Sequence, residues 1–92
     1  MAKAAARLKI TGIVQGVGYR YYFYRRATDT GITGWVRNDY GGSVSAEVEG
    51  ERDDIESLIR ALRAGPSSAH VDDIQIEWKS YTGRYSSFDI TR

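Results

Sequence analysis

Apolar residues recur at helical spacing in two separate segments, and in the segments around them the period drops to two. Within Tyr21–Thr30, Phe23, Ala27 and Thr30 fall at i, i+4 and i+7 and form one narrow stripe. Within Asp53–Ala64, Ile55, Leu58, Ile59 and Leu62 do the same. There Asp53, Asp54 and Glu56 gather at the end where a helix favours negative charge. Gly31 and Gly65-Pro66 close the two helices. Alternating patterns mark strands over Arg7–Gln15, Thr33–Asp39, Ser43–Glu49, Val71–Lys79 and a short Ser87–Thr91. The clearest is Ser43–Glu49, where Val44, Ala46 and Val48 oppose Ser45, Glu47 and Glu49. The order is therefore β-α-β-β-α-β with a small closing strand. A helix with one apolar stripe must bury it, so both are expected on one face of a four- to five-stranded antiparallel sheet. Trp35 is expected as a core filler, and the tyrosines at 19, 21, 22 and 24 as core and half-buried surface. Residues 1–6 show no pattern and are expected to form a flexible N-terminal extension to one domain over 7–92. A chain of 92 residues buries roughly 60–65% of its unfolded surface, enough for one two-layer core.

The stretch with chemistry in it is Gly12-Ile13-Val14-Gln15-Gly16-Val17-Gly18-Tyr19-Arg20, where a strand runs through three glycines into the first helix. Glycine-rich turns let several backbone N–H groups converge, and the helix adds its own unpaired N–H groups and positive dipole end. Arg20 brings a planar fork suited to an oxyanion. Its charge is unfavourable in a helix first turn, and a local rule broken without compensation points to a site. An anion cradle over Gln15–Arg20, most simply for phosphate, follows. It is not a P-loop, because Tyr19-Arg20 follows the last glycine in place of Lys-Ser or Lys-Thr. It is not a dinucleotide fingerprint either, because the third glycine is missing.

A second stretch, Gly34-Trp35-Val36-Arg37-Asn38-Asp39-Tyr40-Gly41-Gly42-Ser43-Val44, reads as strand, glycine-rich turn and strand. Taken alone, Asn38 in this composition is a turn former. The two stretches together resemble the acylphosphatase family, whose signatures G-x-V-Q-G-V-x-[FY]-R and G-[WY]-[VA]-x-N-x-x-x-G-x-V stand here as Gly12–Arg20 and Gly34–Val44. The likeness extends to Gly50, to Gly65–Val71 and to Phe88-Asp89-Ile90, and so covers nearly the whole chain. It implies the ferredoxin-like α+β sandwich and metal-independent hydrolysis of acyl phosphates to a carboxylate and inorganic phosphate. It also implies that Arg20 binds the phosphoryl group together with backbone N–H groups of Gln15, Gly16, Val17, Gly18 and Tyr19, and that Asn38 positions the attacking water. Ser43 is expected to support Asn38 by a hydrogen bond. The final strand is expected to end near Arg20, so that the terminal carboxylate beyond Thr91 and Arg92 pairs with it.

Composition narrows the remaining possibilities. With no cysteine and one histidine, disulfides, thiolate metal sites, thiol catalysis and His-rich metal sites all fall away, and no cofactor is expected. No apolar run of about 18 residues exists and the first residues are too short for a secretory signal, so the expected address is the cytoplasm, without membrane contact. The net charge of +1 divides into about +6 over residues 1–38 and −5 over 39–92, which places both motifs where a small dianion would be drawn. An RNA-binding domain of the same plan would carry stacking aromatics on its first and third strands. Neither Arg7–Gln15 nor Ser43–Glu49 has any, and no nucleic-acid partner is expected. A metallochaperone would need paired cysteines. His70, in the linker before the fourth strand, is expected at the surface. A phosphate or carbamoyl-phosphate recognition module without turnover, as in the acylphosphatase-like segment of hydrogenase-maturation carbamoyltransferases, is the alternative reading. The expected molecule is a monomer that takes a small acyl phosphate and is competitively inhibited by its product, inorganic phosphate.

Overall fold

A computed structural model describes residues 2–92 and has seven elements. They run in the order β1 (Lys3–Ile13), α1 (Tyr19–Asp29), β2 (Thr33–Asn38), β3 (Val44–Glu51), α2 (Arg52–Ala64), β4 (His70–Lys79) and β5 (Phe88–Thr91). The strands form one sheet in the order β4-β1-β3-β2-β5. Alternation decides which face is buried. On β1, Ala6, Leu8 and Ile10 point inward; on β3, Val44, Ala46 and Val48 do. The two helices cover that face. α1 lies against β2 and β5, and α2 against β3, β4 and β1. The first stripe meets the closing strand directly, with the Phe23 and Phe88 rings stacked 5.4 Å apart.

Four expectations are corrected. Residues 3–6 are part of β1 and pair with β3, with Lys3 opposite Glu51; Ala5 and Ala6 are buried. Small residues carry little hydropathic contrast, which is why the strand could not be seen there; Met1 lies outside the described residues. The sheet is mixed, because β5 runs parallel to β2 with Gly34 opposite Phe88. Trp35 is not in the core. Gly34 and Val36 take the inward positions of its strand, with Ile32 buried just before it, and leave the indole half-buried on the open face. There Arg7 and Arg37 lie over its ring and its Nε1 donates to the Tyr85 hydroxyl at 3.3 Å. Finally, α1 begins two residues earlier than its periodicity suggests, so its buried stripe is Tyr19, Phe23 and Ala27 while Thr30 is exposed.

The early start of α1 gives its tyrosines a purpose. The last turn of a helix leaves carbonyls without partners. The Tyr19 hydroxyl donates to Leu62 O at 2.8 Å, and the Tyr22 hydroxyl to Ala61 O at 3.0 Å, both in the last turn of α2. The beginning of α1 is thus tied to the end of α2. On the open face the Tyr81–Tyr85 loop is anchored by Glu49, a buried carboxylate that accepts from Thr82 N, Thr82 Oγ1 and Gly83 N.

Candidate active site

At the site end of the sheet β1 must leave its ladder sharply. Its register with β4 shifts between Thr11 and Gly12, and a Cβ on Gly12 would stand 2.1 Å from His70 O. Only glycine lets β4 approach so closely where the chain turns off. The loop then passes through Gly16 at φ 73° and Gly18 at φ 77°, left-handed conformations that a Cβ disfavours. A Cβ at either would meet no atom within 4 Å, so it is backbone conformation rather than crowding that calls for glycine.

Gly18 is the N-cap of α1, and no side chain caps this end. The first intrahelical bond runs from Tyr22 N to Gly18 O, which leaves the N–H groups of the first turn without a helical acceptor. No acidic residue stands in that turn. Arg20, half-buried within it, makes no ion pair or side-chain hydrogen bond among the described residues. Two sources of positive potential therefore coincide with no counter-charge beside them. They share a cavity of about 200 Å³ whose walls include Gly16, Gly18, Tyr19 and Arg20 from the loop and helix. Asn38, from the end of β2, lines the same cavity, and its Oδ1 is buried with no hydrogen-bond partner. An unmet buried acceptor costs about 1–3 kcal/mol, which a fold retains where a donor is brought by something else.

Loop and strand end are held in register by Gln15. Its Nε2 donates to Asp39 O and Ser43 O, both at 2.8 Å, so the cradle is braced against the β2–β3 turn. That side chain is a strut and does not line the cavity; Val17 faces a neighbouring groove. The expected bond from Ser43 to Asn38 is not made. Ser43 Oγ donates to Asp39 Oδ2 at 2.9 Å, Ser45 Oγ donates to the same oxygen, and Arg37 Nε reaches Oδ1 at 3.3 Å. Partial burial pulls the Asp39 carboxyl up, but the bonds from Ser45, Ser43 and Arg37 outweigh it and hold the group below its usual range. Asp39 thus organises the turn that carries Asn38, and the sequence reading missed it. The D-x-x-x-S-x-S spacing across the turn was the available signal. The expected pairing of the terminal carboxylate with Arg20 is also not made, since no ion pair among the described residues involves either.

One more residue of the first motif and two outside both motifs complete the walls. Val14 closes the cavity from the start of the loop after β1, Tyr21 from the helix, and Ile90 from β5. Tyr40 is fully exposed and shares a second hollow with Asn38 and Arg92. None of Tyr81–Tyr85 reaches the cavity. His70 is exposed, 3.2 Å from Asp72. Among the described residues no cluster of three or more His, Asp or Glu could hold a metal, and no helix is long and apolar enough to cross a membrane.

Comparison with known proteins identifies the family and the fold. The acylphosphatase family model matches residues 6–90. An acylphosphatase of Caldanaerobacter subterraneus subsp. tengcongensis is 44% identical over 88 residues, 96% of this chain and 98% of that protein. The crystal structure of acylphosphatase from Bacillus subtilis superposes with a TM-score of 0.93 at 29% identity, covering 97% of this chain and 99% of that one. Full-length HypF, in a phosphate- and nucleotide-bound form, matches with a TM-score of 0.90 at 36% identity; 99% of this chain covers 12% of that one.

Proposed function

The chain belongs to the acylphosphatase family, and from that membership we infer how its residues divide the hydrolysis of a small acyl phosphate. An acyl phosphate is a mixed anhydride whose leaving group is a carboxylate, already stable as an anion near neutral pH. Little general-acid help is needed. The task is to hold the phosphoryl group, neutralise the charge that spreads over its oxygens, and place a water in line.

First-turn N–H groups of α1 and the backbone of the Gly16–Gly18 loop bind the equatorial oxygens, and Arg20 adds a two-point charged contact. Asn38 Oδ1 accepts a proton-bearing edge of the water and turns a lone pair toward phosphorus. The water oxygen forms a bond to phosphorus as the bond from phosphorus to the carboxyl oxygen breaks. The carboxylate leaves with that electron pair, and the water's proton passes to solvent. The observation that carries this assignment is one cavity holding an uncompensated Arg20, an uncapped helix start and the unmet acceptor of Asn38.

Hydrolysis of benzoyl phosphate in heavy-oxygen water tests it. The label is expected in phosphate and absent from benzoate. Label in benzoate would mean attack at the carbonyl and would overturn the role given to the cradle. The HypF match favours a second reading, a phosphate-recognition module without turnover; phosphate binding with no release of product would support it instead. We further place the enzyme in the cytoplasm as a monomer with inorganic phosphate as competitive inhibitor. Light scattering that returned a two-chain mass would remove the monomer.

A further inference from the structure

Two larger hollows adjoin the phosphoryl cavity, and in-line chemistry chooses between them as the place of the acyl group. One, about 460 Å³, shares Asn38 and is otherwise lined by Arg37, Asp39, Tyr40 and Arg92. The other, about 490 Å³, runs along α1 and shares Gly18 and Tyr21. In-line displacement puts the attacking and leaving oxygens on opposite sides of phosphorus. With the water held by Asn38, the leaving carboxylate faces away from Asn38. That excludes the first hollow and leaves the groove on α1.

The groove has a definite character. Tyr21 and Tyr22 line it near the cavity, and Arg25 and Arg26 stand one turn further on. Arg25 Nη1 donates to the Tyr21 hydroxyl at 3.3 Å, and the Arg26 guanidinium lies 4.6 Å over the Tyr22 ring. Asp29 lines the far end, but neither arginine makes an ion pair with it or with any other described carboxylate. Two guanidiniums are therefore positioned by ring contacts; Asp29 attracts Arg25 from a distance without pairing with it, and Arg26 has no carboxylate partner among the described residues. Resting on the assignment of Asn38 to the water, we propose that this groove is the acyl-group subsite and selects acyl phosphates whose acyl chain ends in a second carboxylate. The four residues from Tyr21 to Arg25 rise ~6 Å along α1, the scale of a short chain, which is why a dicarboxylic acid of about four carbons is chosen for the test.

The test compares succinyl phosphate with butyryl phosphate, which has a methyl group in place of the distal carboxylate. The readout is the ratio of their kcat/KM values, so each variant serves as its own control for folding and phosphoryl binding. The wild-type ratio is expected above one. Arg25→Gln combined with Arg26→Gln should lower it about threefold to fivefold, the scale of exposed charge pairs. Arg92→Gln, in the other hollow, should leave it in place. A wild-type ratio of one, or a ratio that falls with Arg92→Gln and not with the α1 pair, would overturn the subsite. No release from either compound or from acetyl phosphate would instead overturn the hydrolytic assignment, and the subsite with it.

Discussion

Arg20 and Asn38 are proposed to act at different moments, and single substitutions separate them. In this proposal Arg20 holds the phosphoryl group in ground and transition states alike. Arg20→Ala is expected to lose both phosphate affinity and turnover, and Arg20→Lys to remain poor because an ammonium lacks the planar two-point contact. Asn38 matters once attack begins, so Asn38→Ala should cut kcat on the order of 10²–10³-fold with phosphate inhibition near wild type. Inhibition constants for the two variants, with circular dichroism as folding control, decide the matter; equal losses of phosphate affinity would end the division. That these two residues would meet in one cavity was legible in the sequence because their motifs are long and correctly separated. Asp39 was not. Its role depends on which side chains the β2–β3 register sets beside it, and Ser43 and Ser45 both turn to it rather than to Asn38. The mistaken partner of Ser43 has the same origin, since hydrogen-bond direction within a turn is decided by register and not by spacing alone.

At the scale of elements, the cradle depends on an unusual helix start. Gly18 caps α1 in the left-handed region, where any other residue costs about 1–2 kcal/mol. Gly18→Ala meets no atom within 4 Å, so the expected result is a modest loss of stability with a larger loss of phosphate affinity as the first-turn N–H groups shift. Denaturant unfolding beside phosphate inhibition checks this. Unchanged phosphate affinity would show that the cap geometry does not shape the cradle. The residue after the cap ties the helices together. Tyr19→Phe keeps the buried ring but leaves Leu62 O without its donor, and should cost about 1–2 kcal/mol in unfolding experiments. Helix and strand order was readable from periodicity throughout. The direction of β5 was not, because a four-residue strand pairs either way and only its docking beside β2 makes it parallel. Trp35 was misplaced because a large aromatic suggests burial, whereas Gly34 and Val36 had already taken the inward positions of that strand.

For the molecule as a whole, Asp39 and Glu47 bound the pH range of stability on the acid side, and Tyr19 and Tyr85 on the alkaline side. Asp39 is held below its ordinary value of 3.8 by the three donors that outweigh its burial, and Glu47 below 4.5, chiefly by the Tyr85 hydroxyl with Lys79 and Arg7 beside it. Both bind their protons more weakly when folded, so their contribution is present above those values and is lost as pH falls through the lowered ones. Tyr19 has the opposite sign. Burial, with Tyr22 nearby, raises it above its ordinary 10.0, so its contribution is present below that pH and is lost as pH rises beyond it. Unfolding midpoints across the pH range should form a plateau between these limits, and Asp39→Asn should flatten the acid shoulder. The central claim is that this cavity alone turns over acyl phosphates, using its own backbone, Arg20 and Asn38. Phosphate release from benzoyl phosphate, measured beside phenyl phosphate and with a chelator present, tests it most directly. The account predicts rapid release from benzoyl phosphate, unchanged by the chelator, and none from phenyl phosphate. A rate that collapses in chelator and returns with Mg²⁺, or equal release from both compounds, would contradict it.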